Sequence, residues 1–467
     1  MDRTLNVETT NQVGQTVRLN GWVNARRNMG KIVFLDMRDR SALIQVVIVP
    51  DELDDASKNL IDDIRPEFVL QIEGVVQERG EKQRNEKMAT GTVEILAKTV
   101  QILNKCKTPP FEIDKDSMEV NEGLRLQYRY LDLRTERLTK NIRNRDQVIK
   151  FFRNHMSDLD FLEIETPLLT VSSPEGARDH IVPSRMNPGK FYALPQAPQQ
   201  YKQLLMVAGY ERYYQMARCL RDEDARGDRQ LEFTQFDIEM SFTTEEEILE
   251  MTEDMFVKMI KELYPDKKVT TPWPRLSYSE VMEKYGTDKP DLRKDKDDPN
   301  ELAFAWIVDF PLFTKDKETG QIEPMHHMFT MPSESDLDKL DSDPLSVAGQ
   351  LFDMVCNGYE LSSGSIRIHD PELQKKVLKI IGIEGEEAAK KFGHMLEAFR
   401  YGAPPHGGIA PGIDRLMMIL EGEPSIREVI AFPKNSEGNE PMTGAPSQVE
   451  VGQLDELGIE IKKEKKK

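Results

Sequence analysis

From Gln235 to Phe242 the chain alternates with a period of two. Phe236, Ile238, Met240 and Phe242 are apolar, while Gln235, Asp237, Glu239 and Ser241 are polar. This pattern predicts a strand with one face in a core and the other rich in hydrogen-bonding groups. Residues 213–221 also read as extended, and the charged segment 224–229 between the two closes a hairpin. Arg221 and Glu223 stand at its mouth. An ordinary sheet has no need of Gln, Asp, Glu and Arg converging on one face. A site for a small, charged, polar ligand does.

The 467 residues exceed what a single core accommodates. Residues 15–103 contain five β-rich runs, with one helical stretch near 53–64 between the third and fourth, the order of an OB-fold barrel. A linker with Pro109-Pro110 follows. Then come a long helical segment (about 133–159), a short strand (161–166) stopped by Pro167, a helix at 245–263 and further strands. The fold class expected is α+β: an OB-fold domain at 1–105, a linker at 106–125, a mixed domain built on an antiparallel sheet at 126–460, and a basic tail at 461–467.

A net charge of −19 and a mean hydropathy of −0.56 fit a soluble chain. The charge is uneven, since residues 1–105 carry 15 basic against 16 acidic side chains. A near-neutral barrel can hold a local basic face for a polyanion, whereas the remainder repels one. No apolar run reaches the ~18–20 residues of a membrane span. The three cysteines are widely spaced, which fits a reducing cytoplasm better than a disulfide framework or a zinc site.

Three constellations carry chemistry. Arg221 offers a fork suited to phosphate, and Glu223 could orient an amino-bearing base or the arginine itself. Asp353 and Glu360, seven residues apart, are a plausible Mg²⁺ pair when phosphate oxygens complete the shell. Arg367 follows on an extended run, and Ser362-Ser363-Gly364 lets backbone approach a ligand closely. Residues 407–415 read as a glycine-rich turn opening a buried helix with Arg415 in its first turn, a place that favours anions. Neither GxxxxGK[ST] nor a GxGxxG after a strand occurs, which disfavours P-loop and Rossmann readings. The adjacent His326-His327 suits a loop or an anionic ligand better than zinc.

The order of a pre-proline strand, an Arg-x-Glu hairpin and a glycine-rich turn ending in Arg resembles the three signature motifs of class II aminoacyl-tRNA synthetases. Within that class it resembles the bacterial-type aspartyl enzymes. The likeness is carried by YRYLDLR (128–134), ETPLLT (165–170), PEGARD (174–179), FYALPQAPQQYKQLLM (191–206), RDEDARGDRQLEFTQFDIE (221–239), GAPPHGG (402–408) and MTGAPS (442–447). It spans nearly the whole chain.

The resemblance implies a ligase that activates L-aspartate with ATP and transfers it to the 3′ end of tRNA-Asp. A relaxed enzyme that also aspartylates tRNA-Asn is the alternative. It implies an aspartate site of Glu175, Gln199, Lys202, Arg221, Asp237, His326 and Arg367. Lys202 and Arg367 would meet the side-chain carboxylate, and Asp237 the ammonium. ATP contacts would come from Arg221, Asp222, Glu223, Gln230, Glu360, Gly412, Ile413, Asp414 and Arg415, with Arg221 and Arg415 catalytic. Asp353 and Glu360 would hold Mg²⁺. In the barrel, Arg27, Phe34 and Gln45 match anticodon-reading positions, and Met29 and Lys82 match positions that separate strict from relaxed enzymes, here of the strict type. Pro167 would lie at a homodimer interface in a cytoplasmic protein without membrane contact. The chain departs from the pattern where 289–293 runs through a short charged link (294–301) into 305–313. A domain of roughly a hundred residues usual in bacterial relatives is expected to be missing there.

Overall fold

The structure is a computed structural model, and residues 1–172 and 176–462 are described. The chain divides into two compact units, Met1–Thr139 and Lys140–Lys467.

In the first unit, β1 (Thr16–Met29), β2 (Ile32–Arg38), β3 (Leu43–Ile48), β4 (Val69–Glu78) and β5 (Val93–Asn104) form a closed barrel in the order β1-β2-β3-β5-β4. Inward positions alternate along each strand. Val17, Leu19, Leu35, Met37, Ile44, Val46, Leu70, Ile72 and Ile95 fill one core. The barrel is the expected OB-fold. The helical stretch foreseen at 53–64 is broken into two separate turns, Asp55–Lys58 and Ile61–Asp63, with another turn at Pro50–Glu52 just before it. Asp54 accepts a bond from the Ser57 amide and starts a new turn, so local capping competes with a continuous helix. Buried Glu67 accepts Arg38 at 2.8 Å and Arg134 at 2.7 Å, fastening the segment after the barrel to its wall.

The second unit is built on eight strands: β6 (Leu162–Glu163), β7 (Arg212–Leu220), β8 (Glu232–Ser241), β9 (Arg275–Ser277), β10 (Phe304–Val308), β11 (Leu351–Cys356), β12 (Tyr359–Ile366) and β13 (His406–Ile409). Their order is β9-β10-β11-β12-β13-β8-β7-β6, antiparallel except for the parallel end pairs β9/β10 and β7/β6. The β7/β8 hairpin pairs Asp237 with Gln215 and Gln235 with Ala217. Helices α1 (Glu136–Asp158), α2 (Gln199–Val207), α3 (Glu245–Leu263) and α4 (Ile413–Glu421) include the predicted long helix and the predicted 245–263 helix. Thr244 caps α3, with Glu247 completing a capping box.

One face of β8 sends Phe236 and Ile238 into a core with Phe152 of α1, Phe256 of α3 and Leu416 of α4. Phe152 and Phe236 stack at 4.7 Å. The pre-proline strand is reduced to Leu162–Glu163 at the sheet edge. Gly407 and Gly408, read from the sequence as part of a turn, are instead strand residues between β8 and β12. A Cβ on Gly408 would come within 2.1 Å of the Ile238 carbonyl oxygen and 2.2 Å of Glu239 Oε2. The two glycines let a strand close over a buried carboxylate; the turn proper is Ala410–Gly412.

Candidate active site

The polar face of β8 looks into a cavity of about 360 Å³ bounded by α2, the hairpin, β12 and the start of α4. Gln199, Lys202, Arg221, Glu223, Gln230, Asp237, His326, Glu360, Arg367, Gly412, Asp414 and Arg415 all line it. Residues drawn from five separate stretches of sequence therefore meet in one place. Glu175 lies outside the described residues. Asp222 pairs loosely with Arg178 at 3.6 Å, and Ile413 is buried at the start of α4.

The deep end is a charge network. Lys202 Nζ donates to Asp237 Oδ1 at 2.6 Å and lies 3.2 Å from Glu239 Oε2. Arg367 donates to both oxygens of Glu239, at 3.0 and 3.2 Å, and to Ser365 Oγ at 2.6 Å. Its Nη1 also lies 2.6 Å from His327 Nε2. An arginine has no acceptor, so this nitrogen of His327 accepts, while Nδ1 faces the Phe329 amide at 3.2 Å. Burial and the neighbouring Arg367 charge hold His327 well below its ordinary pKa, which keeps it neutral. Burial works to raise Glu239, but Arg367 and Lys202 outweigh it and the carboxyl titrates below its usual range. Asp237 is raised, because burial there exceeds the help from Lys202. Its Oδ2 is buried without a hydrogen-bond partner.

Lys202 and Arg367 are not bare cations in this cavity. Each already has an anion inside the protein. Glu239, on the polar face of the alternation but without an assigned role, bridges both cations, and the four groups are formally neutral together. His327, passed over in favour of His326, braces the arginine.

Arg221 and Arg415 stand nearer the hairpin. Arg221 Nε donates to the Gln196 carbonyl at 3.3 Å, and its guanidinium lies 5.1 Å from the Phe233 ring centroid. Among the described residues no carboxylate pairs with it, which leaves its charge for a bound anion. The option that Glu223 orients Arg221 is not realised: Glu223 pairs with Arg229 at 3.0 Å. Arg415 donates to the carbonyls of Glu360 (2.7 Å) and Asp228 (3.1 Å), and its Nη2 lies 3.3 Å from the Asp228 carboxylate. Both ends of the Gln230 side chain are engaged by the Lys434 backbone, at 3.0 and 2.8 Å. The Asp414 carboxylate is likewise occupied, by Arg145 at 2.5 Å and the Thr234 amide at 3.0 Å. Asp228, Arg229 and Arg145 had no marker in the sequence beyond their charge.

Asp353 lies on β11 behind the cavity wall. Burial pushes it up to about 7, His326 opposes this at 3.7 Å, and the Glu360 charge adds to it. Its Oδ1 is buried without a hydrogen-bond partner. An orphaned carboxylate oxygen near a second carboxylate fits a hard divalent cation whose remaining ligands come from phosphate and water. No cluster of three or more His, Cys, Asp or Glu side chains suited to a metal occurs among the described residues. His326 Nδ1 meets Ser363 Oγ at 2.7 Å on the adjoining strand.

On the barrel, Arg27 pairs with Phe34 across β1/β2, and Asp36 with Gln45 across β2/β3. Arg27 donates to both oxygens of Asp36 (2.5 and 2.9 Å) and to Gln45 Oε1 (3.3 Å), while Gln45 Nε2 donates to Glu94 at 2.8 Å. The three positions form one continuous outer face. Met29 and Lys82 are exposed, at the end of β1 and in the Glu81–Gln83 turn.

Residues 121–436 match the family model of class II tRNA synthetases (D, K and N), and residues 17–103 match that of an OB-fold nucleic acid binding domain. The chain belongs to the class II tRNA synthetases. Among curated relatives it is 44% identical to a protein of Rubrobacter xylanophilus named aspartate–tRNA(Asp/Asn) ligase, covering 96% of this chain and 95% of that one. It is 41% identical to the aspartate–tRNA ligase of Oceanobacillus iheyensis, over 96% of this chain and 96% of the other. The first alignment runs over 574 positions, well beyond the 467 residues here, as expected of a synthetase lacking an insertion. Solved structures of similar fold include asparaginyl-tRNA synthetase from Pyrococcus horikoshii complexed with asparaginyl-adenylate (TM-score 0.75, 20% identity, 93% of this chain and 98% of that one). Another is the aspartyl tRNA synthetase of Entamoeba histolytica (TM-score 0.71, 23% identity, 93% and 92%). The shared fold therefore does not select the amino acid.

Proposed function

We infer that this synthetase is an aspartate–tRNA ligase. The observation that carries the reading is a single cavity in which a buried Lys202–Asp237–Glu239–Arg367 network adjoins Arg221 and Arg415. The names and identities of the curated relatives support it independently. The side-chain carboxylate of aspartate joins Lys202 and Arg367, and its ammonium meets the unpartnered oxygen of Asp237. Gln199 and His326 complete the pocket, and the family resemblance assigns Glu175 to the same substrate. The α-carboxylate oxygen attacks the α-phosphorus of ATP, and pyrophosphate leaves with the electrons of the broken P–O bond. Little proton transfer is required, so positioning and charge neutralisation by Arg221 and Arg415 dominate. Asp222, Glu223, Gln230, Glu360, Gly412 and the start of α4 (Ile413, Asp414) shape the ATP pocket. Asp353 and Glu360 would hold Mg²⁺, which supplies charge neutralisation at the phosphates when bound. A ribose hydroxyl at the tRNA 3′ end then attacks the aspartyl carbonyl and AMP departs.

The barrel face of Arg27, Phe34 and Gln45 suits a single-stranded anticodon, with Phe34 for stacking and Gln45 for a base edge. Pro167 is exposed among Leu162, Leu168, Leu169, Val171, Ile181 and Phe191, each about half-exposed or more. An apolar patch of this kind supports a homodimer. Three free cysteines support a cytoplasmic setting, and no helix among the described residues is long and apolar enough to cross a membrane. Met29 and Lys82 favour strict tRNA-Asp specificity, while the relatives carry names of both kinds. Charging purified tRNA-Asp and tRNA-Asn side by side with aspartate tests this. Aspartylation of tRNA-Asp alone is expected; equal charging of both would replace the strict reading with the relaxed one.

A further inference from the structure

Helix α1 carries a polar stripe outside the sequence stretches that carry the family resemblance. Asn141, Asn144 and Arg145 share one face, three and four residues apart. All three reach α4 or the segment just after it. Asn141 Nδ2 donates to Glu423 Oε1 at 2.6 Å and to the Glu428 carbonyl at 3.2 Å, and Asn144 Nδ2 donates to Glu421 Oε1 at 2.8 Å. Arg145 Nη1 donates to Asp414 Oδ1 at 2.5 Å and to the Val429 carbonyl at 3.3 Å. The second oxygen of Asp414 accepts the Thr234 amide of β8 at 3.0 Å.

Asp414 immediately precedes Arg415, and Thr234 immediately follows Phe233, the ring beneath Arg221. One carboxylate therefore joins the helix bearing one phosphate-facing arginine to the strand that supports the other. Arg145 holds that carboxylate from outside the cavity. Its side chain is 15% exposed and that of Asp414 is 6% exposed, so neither end is a solvated surface pair.

On the reading of this cavity as an ATP site, we propose that Arg145 is a positioning residue for ATP activation, acting through Asp414 to fix Arg415 and Arg221 relative to each other. Arg145 touches no substrate. Without it, the start of α4 loses its tie to α1, and the Asp414 carboxylate, which lines the cavity, faces the incoming triphosphate uncompensated. Both consequences fall on ATP. The aspartate end is anchored separately through Lys202, Glu239 and Arg367.

The test is pyrophosphate exchange by the full-length protein carrying Arg145→Met, with aspartate affinity measured apart, in the absence of ATP. The expected result is a loss of about tenfold or more in kcat/KM for ATP, with the aspartate Kd within about twofold of the parent. Arg145→Lys should recover part of the loss, because the charge returns without the fork geometry. Asp414→Asn should shift ATP parameters in the same direction, and the double variant should be no worse than the poorer single one, since both act through one strut. Should Arg145→Met fail to fold, Arg145→Gln carries the same test, since Arg145 lies outside the cavity. Near-parental kcat/KM for ATP in a folded variant would overturn the proposal. Parallel losses for ATP and aspartate, or additive effects in the double variant, would do so as well. A parent protein without aspartate-dependent exchange would instead refute the ligase reading, so the two failures are distinguishable.

Discussion

Replacing Arg367 by Leu probes the network at its most connected member. Arg367 is 2% exposed and Glu239 is fully buried. The substitution removes two charge-assisted bonds to Glu239 together with those to Ser365 Oγ and the Gly408 carbonyl. Glu239 is then left with Lys202 at 3.2 Å, a cation already engaged by Asp237 at 2.6 Å. Removing one partner of a buried pair costs about 3–5 kcal/mol, a large share of the ~5–15 kcal/mol that holds a domain folded. If a comparable amount is lost where the substrate carboxylate binds, aspartate-dependent exchange falls by about a hundredfold or more. Adding Glu239→Gln to the variant removes the uncompensated charge and should return part of the stability lost in urea denaturation, with no return of activity. Near-normal exchange by Arg367→Leu would refute the assignment of this arginine. A double variant no more stable than the single one would refute the charge argument.

Two further outcomes follow from other parts of the molecule. Burial, with Asp309 close by, pushes Glu245 at the start of α3 up from its ordinary 4.5 to about 7. A carboxyl that binds its proton more tightly when folded loses stability as pH rises, here between about 4.5 and 7. Glu245→Gln should therefore raise the Tm at pH 8, by the equivalent of about 3 kcal/mol at most, and by only a small fraction of that at pH 5; a gain of equal size at both pH values would contradict the cause given. In the barrel, Phe34→Ala should raise the KM for tRNA about tenfold through lost stacking and leave pyrophosphate exchange untouched, and a parallel fall in exchange would show that the residue does something else.

The strand pattern at 235–242 was enough to place β8, because alternation follows directly from the pleat. The barrel was equally legible, since each of its strands has one face in a single core. Less visible was which charge would meet which. Glu223 sits two residues from Arg221 but reaches Arg229, because the hairpin loop folds back on itself. Arg145 and Asp414 are 269 positions apart, and no local pattern links them. The strand role of Gly407 and Gly408 was hidden for a related reason. Glycine pairs signal turns in a sequence, yet here the missing side chains make room for the Glu239 carboxylate and the Ile238 backbone. The stretch at 53–64 has apolar residues Leu53, Ile61 and Ile64 directed inward, but its aspartates begin new turns and interrupt the helix.

The central claim is that the buried network selects aspartate for activation. Pyrophosphate exchange by the purified protein, with aspartate or asparagine as the sole amino acid, tests it most directly. Exchange with aspartate and none above background with asparagine is the predicted result. Exchange supported equally by asparagine, or by neither amino acid, would contradict it.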